Sequence, residues 1–245
     1  MITLFESADL QVIQGDALQF YQNAPTDYVD HIITDPPYSA HVHANIRSLT
    51  AGKVTAWTPG FGERTAEDLS TIAEHSTRIA RRWCLHFCEI EALGDYARSF
   101  GERFVRSYLW RKQSAAPSLH GRYAGNSCEG IAIAHRPGAK RWNGRGTHAW
   151  HDADPETTPI ATDNVIVSGR NRTRKGHPTQ KPVTLCDRLV TDWTDPCETI
   201  LDSFGGSGAI AWAALRLCRR AIIVERDPLW ARQCQLVAEN PGADQ

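Results

Sequence analysis

Two stretches of this chain hold residue types that could do chemistry together. The first is Asp35-Pro36-Pro37-Tyr38, directly after the apolar run His31–Thr34. Asp35 is an anionic acceptor. Pro36 and Pro37 lack an N–H and present carbonyls on a stiff backbone, and Tyr38 offers a flat stacking face with a polar tip. Together they suit a planar heteroaromatic ring that bears an NH2 group. The carboxylate and a proline carbonyl can each accept one N–H bond, which draws the nitrogen lone pair out of the ring and frees it for attack. The plain alternative is a polyproline turn that happens to contain a tyrosine.

The second stretch is Leu201-Asp202-Ser203-Phe204-Gly205-Gly206-Ser207-Gly208, which follows an apolar run and opens a helix. Glycines there let a ligand approach the backbone, and a helix N-terminus favours a carboxylate or phosphate. The dinucleotide pattern GxGxxG is absent, because Ala211 stands where its third glycine would be counted from Gly206. That argues against a nicotinamide dinucleotide. Glu225 ends the next strand, 19 residues after Gly206, where an acid commonly bonds ribose hydroxyls. Gly15-Asp16 stands at another strand end and by itself reads as an ordinary turn.

These residues need strands and helices to hold them. Apolar runs at Leu10–Ile13, His31–Thr34, Trp83–Cys88, Phe104–Trp110, Gly130–Ala134, Thr199–Leu201 and Ala221–Val224 read as strands. Most are near-continuous rather than alternating, as in a sheet covered by helices on both faces. Thr65-x-x-Asp68 is a variant capping box before Leu69, Ile72, Ala73, Ile79 and Ala80 at helical spacing. Pro182 suits the first turn of a helix carrying Leu185, Leu189, Val190 and Trp193, and Pro228 starts a last helix with Trp230, Cys234 and Val237 on one stripe. Strands alternating with helices predict an α/β fold with a mostly parallel sheet. Ser39–Arg64 and Pro137–His177 fit neither pattern and read as functional loops or small inserts.

The 245 residues correspond to one domain, here taken as 1–245 with 137–177 as a variable insert. Apolar residues are 41% and charged residues 22%, which excludes a disordered chain, and no apolar run reaches a membrane-spanning length. Met1–Leu10 carries neither a basic residue nor an apolar stretch typical of a leader, so a cytoplasmic protein is expected. The seven cysteines form no CxxC pair and are expected to be buried free thiols. His41 and His43 form a His-x-His, but no second ligand cluster has suitable spacing, so no metal is expected. Residues 1–40 hold six acids and no Lys or Arg, whereas 136–181 holds nine basic residues against four acids. Of the 27 basic residues 22 are Arg, the side chain suited to bidentate phosphate and guanine contacts.

Asp35-Pro-Pro-Tyr38 joined to Phe204-x-Gly206-x-Gly208, with His177-Pro-Thr-Gln-Lys-Pro182 before the glycine loop, resembles the S-adenosylmethionine-dependent amino-methyltransferases of DNA. The order of these motifs resembles the β class, a circular permutation of the Rossmann-like methyltransferase fold, and the resemblance spans nearly the whole chain. It implies that Asp35, Pro36, Pro37 and Tyr38 form the catalytic tetrapeptide at the target base. It implies that Phe204, Gly206, Ser207 and Gly208 cradle the methionine end of the cofactor, beside Asp202 and Asp35. Glu225 would hold the ribose and Asp16 the adenine amine, while Thr179, Gln180 and Lys181 close over the methionine moiety. The family usually has proline where Ser203 stands and threonine where Ala209 stands.

The implied reaction transfers a methyl group to the exocyclic amine of a base flipped out of double-stranded DNA, since stacking hides that amine. An aspartate at the head of the tetrapeptide leans toward adenine N6, with cytosine N4 as the alternative. A catalytically silent protein that binds cofactor and DNA is a third possibility, opposed by the intact tetrapeptide. Glutamine methyltransferases carry a similar tetrapeptide, but their glycine loop comes first. DNA contact is expected from His41, His43, Arg47, Arg141, Arg145, Arg170, Arg172, Arg174 and Lys175, with an affinity that falls steeply with salt. A homodimer and a restriction endonuclease partner are left open.

Overall fold

The computed structural model describes residues 1–39, 47–50, 53–56, 64–112, 127–152, 160–162, 165–167 and 180–239. A nine-stranded sheet runs through these residues. In chain order its strands are β1 (Ile2–Glu6), β2 (Leu10–Gln14), β3 (His31–Thr34), β6 (Trp83–Cys88), β7 (Phe104–Arg111), β8 (Cys128–His135), β9 (Trp150–Asp152), β12 (Thr199–Asp202) and β13 (Arg220–Glu225). Two separate hairpins are formed by β4 (Arg47–Thr50) with β5 (Lys53–Ala56), and by β10 (Ile160–Thr162) with β11 (Val165–Val167). The helices are α1 (Ala17–Asn23), α2 (Ala66–Ile79), α3 (Leu93–Phe100), α4 (Val183–Trp193), α5 (Ala209–Arg216) and α6 (Pro228–Glu239).

Across the sheet the order is β1-β2-β13-β12-β3-β6-β8-β7-β9. The middle, from β2 to β6, is parallel. β1 adds an antiparallel edge, and β8 runs antiparallel to both β6 and β7. The C-terminal strands β12 and β13 slot between β2 and β3, so the chain's two ends interleave in the centre of the sheet.

Neighbouring residues on the central strands enter opposite cores. On β3, Ile33 joins Trp83, Leu85 and Phe87 of β6 beneath Leu185, Leu189 and Trp212. Ile32 joins Cys84 and Cys88 beneath Tyr21, Leu69, Ile72 and Tyr96. Because α1–α3 cover one face and α4–α6 the other, both faces select apolar side chains. This is why the runs read as continuous rather than alternating. The capping box forms as expected: Thr65 accepts from the Asp68 N–H, and Asp68 accepts from the Thr65 N–H.

The expectation of buried thiols is corrected for three of the seven cysteines. Cys128 is half-buried, and Cys197 and Cys218 are exposed. The last two sit in turns at φ 68° and 61°, where the backbone must reverse at the surface before β12 and β13. No helix among the described residues is long and apolar enough to cross a membrane.

Candidate active site

In a parallel sheet the carboxyl ends of the strands share one rim. Here β2, β13, β12 and β3 end in Gln14, Glu225, Asp202 and Thr34, so Asp16, Glu225, the glycine bend and Asp35 stand along that rim in the order of the strands. The Gly15 N–H donates to the Glu225 carbonyl at 3.0 Å. The Gly206 N–H donates to Glu225 Oε2 at 2.8 Å, and the Asp227 N–H to Oε1 at 2.8 Å. Asp16 caps α1 by accepting the Gln19 N–H at 3.0 Å, a role its turn-like sequence did not announce.

The two motifs meet at Thr34. Its hydroxyl donates to Asp202 Oδ1 at 2.8 Å and accepts the N–H groups of Ser203 at 3.1 Å and Phe204 at 3.2 Å. Ser203 Oγ lies 2.7 Å from the Tyr21 hydroxyl, which in turn accepts from Ser76. The serine found in place of the family's proline is thus spent on a buried hydrogen-bond chain. Beyond it, Gly206 and Gly208 take φ of 49° and 79°, which glycine adopts without strain. A Cβ on Gly205 would lie 2.3 Å from Ile223 Cγ2, so the bend must press against β13 with no side chain between.

Around Asp35 the structure assembles a buried charge cluster. The Lys181 ammonium lies 2.6 Å from Asp35 Oδ2 and 3.2 Å from Glu129 Oε2. The Tyr38 hydroxyl donates to Glu129 Oε2 at 2.6 Å, and Lys112 pairs with Glu129 Oε1 at 2.6 Å. Lys181 also sits over the rings of Phe87, Tyr38 and Trp110 at 5.0, 5.4 and 5.9 Å. Asp35 Oδ1 and Gln180 Oε1 are buried with no hydrogen-bond partner among the described residues. Burial pushes the Asp35 carboxyl up, against the pull of Lys181 and with a push from Glu129. Burial also pushes Glu129 up, but Lys181 and Lys112 outweigh it and hold that carboxyl at about 2. Burial raises Asp202 to about 7 despite its bonds from Thr34 and Phe204, and it raises Glu225 as well.

The tetrapeptide is held from the side of β6 and α2. Arg64 Nε donates to the Pro37 carbonyl at 3.2 Å, and the Arg64 N–H to the Tyr38 carbonyl at 3.3 Å. Glu89, just past the end of β6, accepts the Ser39 N–H at 3.2 Å and pairs with Arg64 at 3.4 Å.

Sequence reasoning missed Thr34, Glu89, Arg64, Lys112 and Glu129. A signal existed for two of them: Thr34 is a polar residue inside a buried apolar strand, and Glu129 is an acid beside the apolar run Gly130–Ala134. Lys181 was assigned to the cofactor, yet its ammonium is committed to Asp35 and Glu129. Arg141, expected at the DNA, stands away from this rim. Its guanidinium lies between Asp195 and Glu198, before β12 begins and therefore at the opposite end of the sheet from Asp35. Arg145 belongs to the adjacent turn, where Asn143 bonds the Thr191 and Thr194 carbonyls past the middle of α4. The 11 residues of α4 put its far end about 16 Å from Lys181 at ~1.5 Å per residue. His41, His43, Arg170, Arg172, Arg174, Lys175 and Thr179 lie outside the described residues, and Arg47 is described only in its backbone.

This rim fits a cationic ligand with a hydrogen-bonding end. Asp35, Asp202 and Glu225 supply negative charge, Gln180 supplies an unsatisfied amide oxygen, and the positive-φ glycines leave the backbone open. A family model described as DNA methylase matches residues 29–235. Type II methyltransferase M2.DpnII of Streptococcus pneumoniae is 26% identical over 94% of this chain and 90% of its own length. The solved structure of the M1.HpyAVI–SAM complex matches with a TM-score of 0.61 at 21% identity, over 92% of this chain and 98% of that one. The PvuII DNA methyltransferase, described as cytosine-N4-specific, matches with a TM-score of 0.69 at 13% identity, over 96% and 88% of the two chains.

Proposed function

Because the chain belongs to the DNA methylase family, we propose that it methylates the N6 amine of an adenine turned out of double-stranded DNA. It is a site-specific DNA methyltransferase that acts on an exocyclic amine with S-adenosylmethionine as cofactor. The observation that carries methylation of an exocyclic amine is Asp35 Oδ1, a buried carboxylate oxygen with no partner among the described residues, next to a tyrosine ring on the rim. The choice of adenine over cytosine rests on the aspartate at the head of the tetrapeptide.

When bound, the cofactor supplies a methyl group already activated on a sulfonium sulfur. The chain's residues must place the amine in line with it and exclude water. Asp35 Oδ1 accepts one amine hydrogen. The Pro37 carbonyl is taken by Arg64, so the second hydrogen goes to the Pro36 carbonyl. With both N–H bonds directed out of the ring plane, the nitrogen lone pair points at the methyl group. Positive charge that develops on nitrogen faces the Asp35 carboxylate. Tyr38 stacks on the extruded base, its hydroxyl anchored by Glu129. The methylated amine is acidic and sheds its proton without a strong base.

The segment Arg170–Lys175, with His41, His43 and Arg47, meets the phosphates. Target recognition falls on 137–177, which is tied to the domain at two places. Trp142 lies against Trp193 at 5.8 Å, and β9 extends the sheet. The name of the M2.DpnII relative, a type II methyltransferase, supports a role beside a restriction endonuclease.

Nucleoside mass spectrometry of DNA treated with protein and cofactor tests this. N6-methyladenine is expected, and Asp35→Ala should abolish it while cofactor binding persists. N4-methylcytosine would overturn the choice of base, and no transfer to DNA would overturn the function.

A further inference from the structure

We infer that Glu129 is a positioning residue for the methyl transfer: its carboxylate cancels the charge of Lys181, so that Asp35 faces the target amine as a net negative group. This deepens the proposed function and rests on it.

A lysine beside the carboxylate that must stabilise a developing cation poses an electrostatic problem. Lys181 lies 2.6 Å from Asp35 Oδ2, and an isolated Asp35–Lys181 pair is neutral overall. Such a pair gives a cation approaching Oδ1 much less than a lone carboxylate would, and in a low-dielectric rim the difference is large. Glu129 changes the count. It approaches the same ammonium at 3.2 Å, so two carboxylates share one buried cation and the triad carries net negative charge. Lys112 meets Glu129 from the far side at 2.6 Å, but its side chain is 23% exposed against 7% for Lys181, so solvent screens it more.

Glu129 also fixes geometry. It accepts the Tyr38 hydroxyl at 2.6 Å through the oxygen that faces Lys181. One side chain thereby sets the tilt of the stacking ring and the place of the ammonium. The ammonium in turn occupies Asp35 Oδ2 and leaves Oδ1 as the oxygen offered to a base. Two carboxylates around one lysine, beside an oxygen with no partner among the described residues, are more than a structural ion pair requires.

The test is a double-mutant cycle read as single-turnover methyl transfer at saturating DNA and cofactor. Glu129→Gln keeps an acceptor for Tyr38 and removes only charge, and should slow transfer by ~10-fold or more. In a Lys181→Met background the same change should cost less than ~2-fold, because Glu129 then no longer holds an ammonium against Asp35 Oδ2. Affinity for S-adenosylhomocysteine by calorimetry should stay near wild type in Glu129→Gln, whereas Tm should fall, because Lys181 and Lys112 hold Glu129 ionised in the folded protein; rates are read at a temperature where every variant is folded. Equal losses from Glu129→Gln in both backgrounds, or no loss in an active wild-type background, would overturn the inference. A wild-type protein that transfers nothing to DNA defeats the methyltransferase function instead, so the two failures are told apart.

Discussion

The hydroxyl of Thr34 donates to Asp202 Oδ1 at 2.8 Å across 168 residues of sequence. It ties the last residue before the catalytic tetrapeptide to the first acid of the glycine bend. The backbone supports the link, since Ile200 and Leu201 of β12 pair in parallel with His31 and Ile32 of β3. The proposed base end and cofactor end of the site are therefore joined where two paired strands end.

Thr34→Val should loosen that junction. The substitution keeps the shape but removes a donor to Asp202 and the acceptor for two backbone N–H groups, all at a fully buried position. Stranded buried polar groups cost about 1–3 kcal/mol each. A loss of about 2 kcal/mol in urea unfolding is expected, with weaker cofactor binding, while Thr34→Ser retains most of both. A Thr34→Val protein as stable as wild type would show that the hydroxyl does not hold the rim.

Cofactor affinity should rise with pH through neutrality. Burial raises Asp202 to about 7 from an ordinary value of 3.8, so below pH 7 the carboxyl is largely protonated. Its contribution to the stability of the ligand-free protein is present below 3.8 and lost as pH rises through 7. S-adenosylmethionine carries a sulfonium and an ammonium against one carboxylate, and a net cation on this rim favours ionised Asp202. Binding should therefore release a proton near pH 7, seen by calorimetry in buffers of different ionisation enthalpy. Asp202→Asn should flatten the dependence.

The sequence disclosed the chemistry better than the wiring around it. Asp35, Tyr38, Asp202, Gly206 and Glu225 stand on one rim as their strand-end positions implied. The capped helix α2 was legible because Thr65, Asp68 and a clean 3.6-residue stripe all agree. The antiparallel course of β8 was not legible, since an apolar run reads the same in either direction. Helices α1 and α3, of seven and eight residues, are too short for periodicity to show. Glu129 escaped for a related reason. Its place beside Lys181 follows from β8 starting at the rim and running away from it, antiparallel to β6, and pairing direction is a tertiary fact. Lys181 was read by its neighbours in sequence, but its ammonium answers to neighbours in space.

Gly205→Ala tests how tightly the bend is pressed. The added Cβ would stand 2.3 Å from Ile223 Cγ2, on a central strand with little freedom to move. Overpacking of this kind costs about 1–3 kcal/mol. A Tm lower by several degrees and a cofactor affinity reduced at least in proportion are expected. An unchanged Tm with normal binding would mean that the bend stands farther from β13 than 2.3 Å implies.

The basic residues of the 136–181 stretch should separate into two classes. Arg141 pairs with Asp195 and with Glu198 Oε1, and His31 Nε2 lies 2.8 Å from Glu198 Oε2. Burial pushes Glu198 up, but the His31 bond, the Asp195 N–H and Arg141 hold it at about 2, below its ordinary 4.5. The stability this group contributes is complete above pH 4.5 and is lost as pH falls through about 2. Arg141→Ala should therefore lower Tm at neutral pH and start acid unfolding at a higher pH, while leaving DNA affinity and its salt slope unchanged. Replacing Arg170, Arg172 and Arg174 should do the reverse, reducing the salt slope by ~1 for each phosphate no longer neutralised, with little change in Tm. A salt slope that falls with Arg141→Ala would return that residue to the DNA interface.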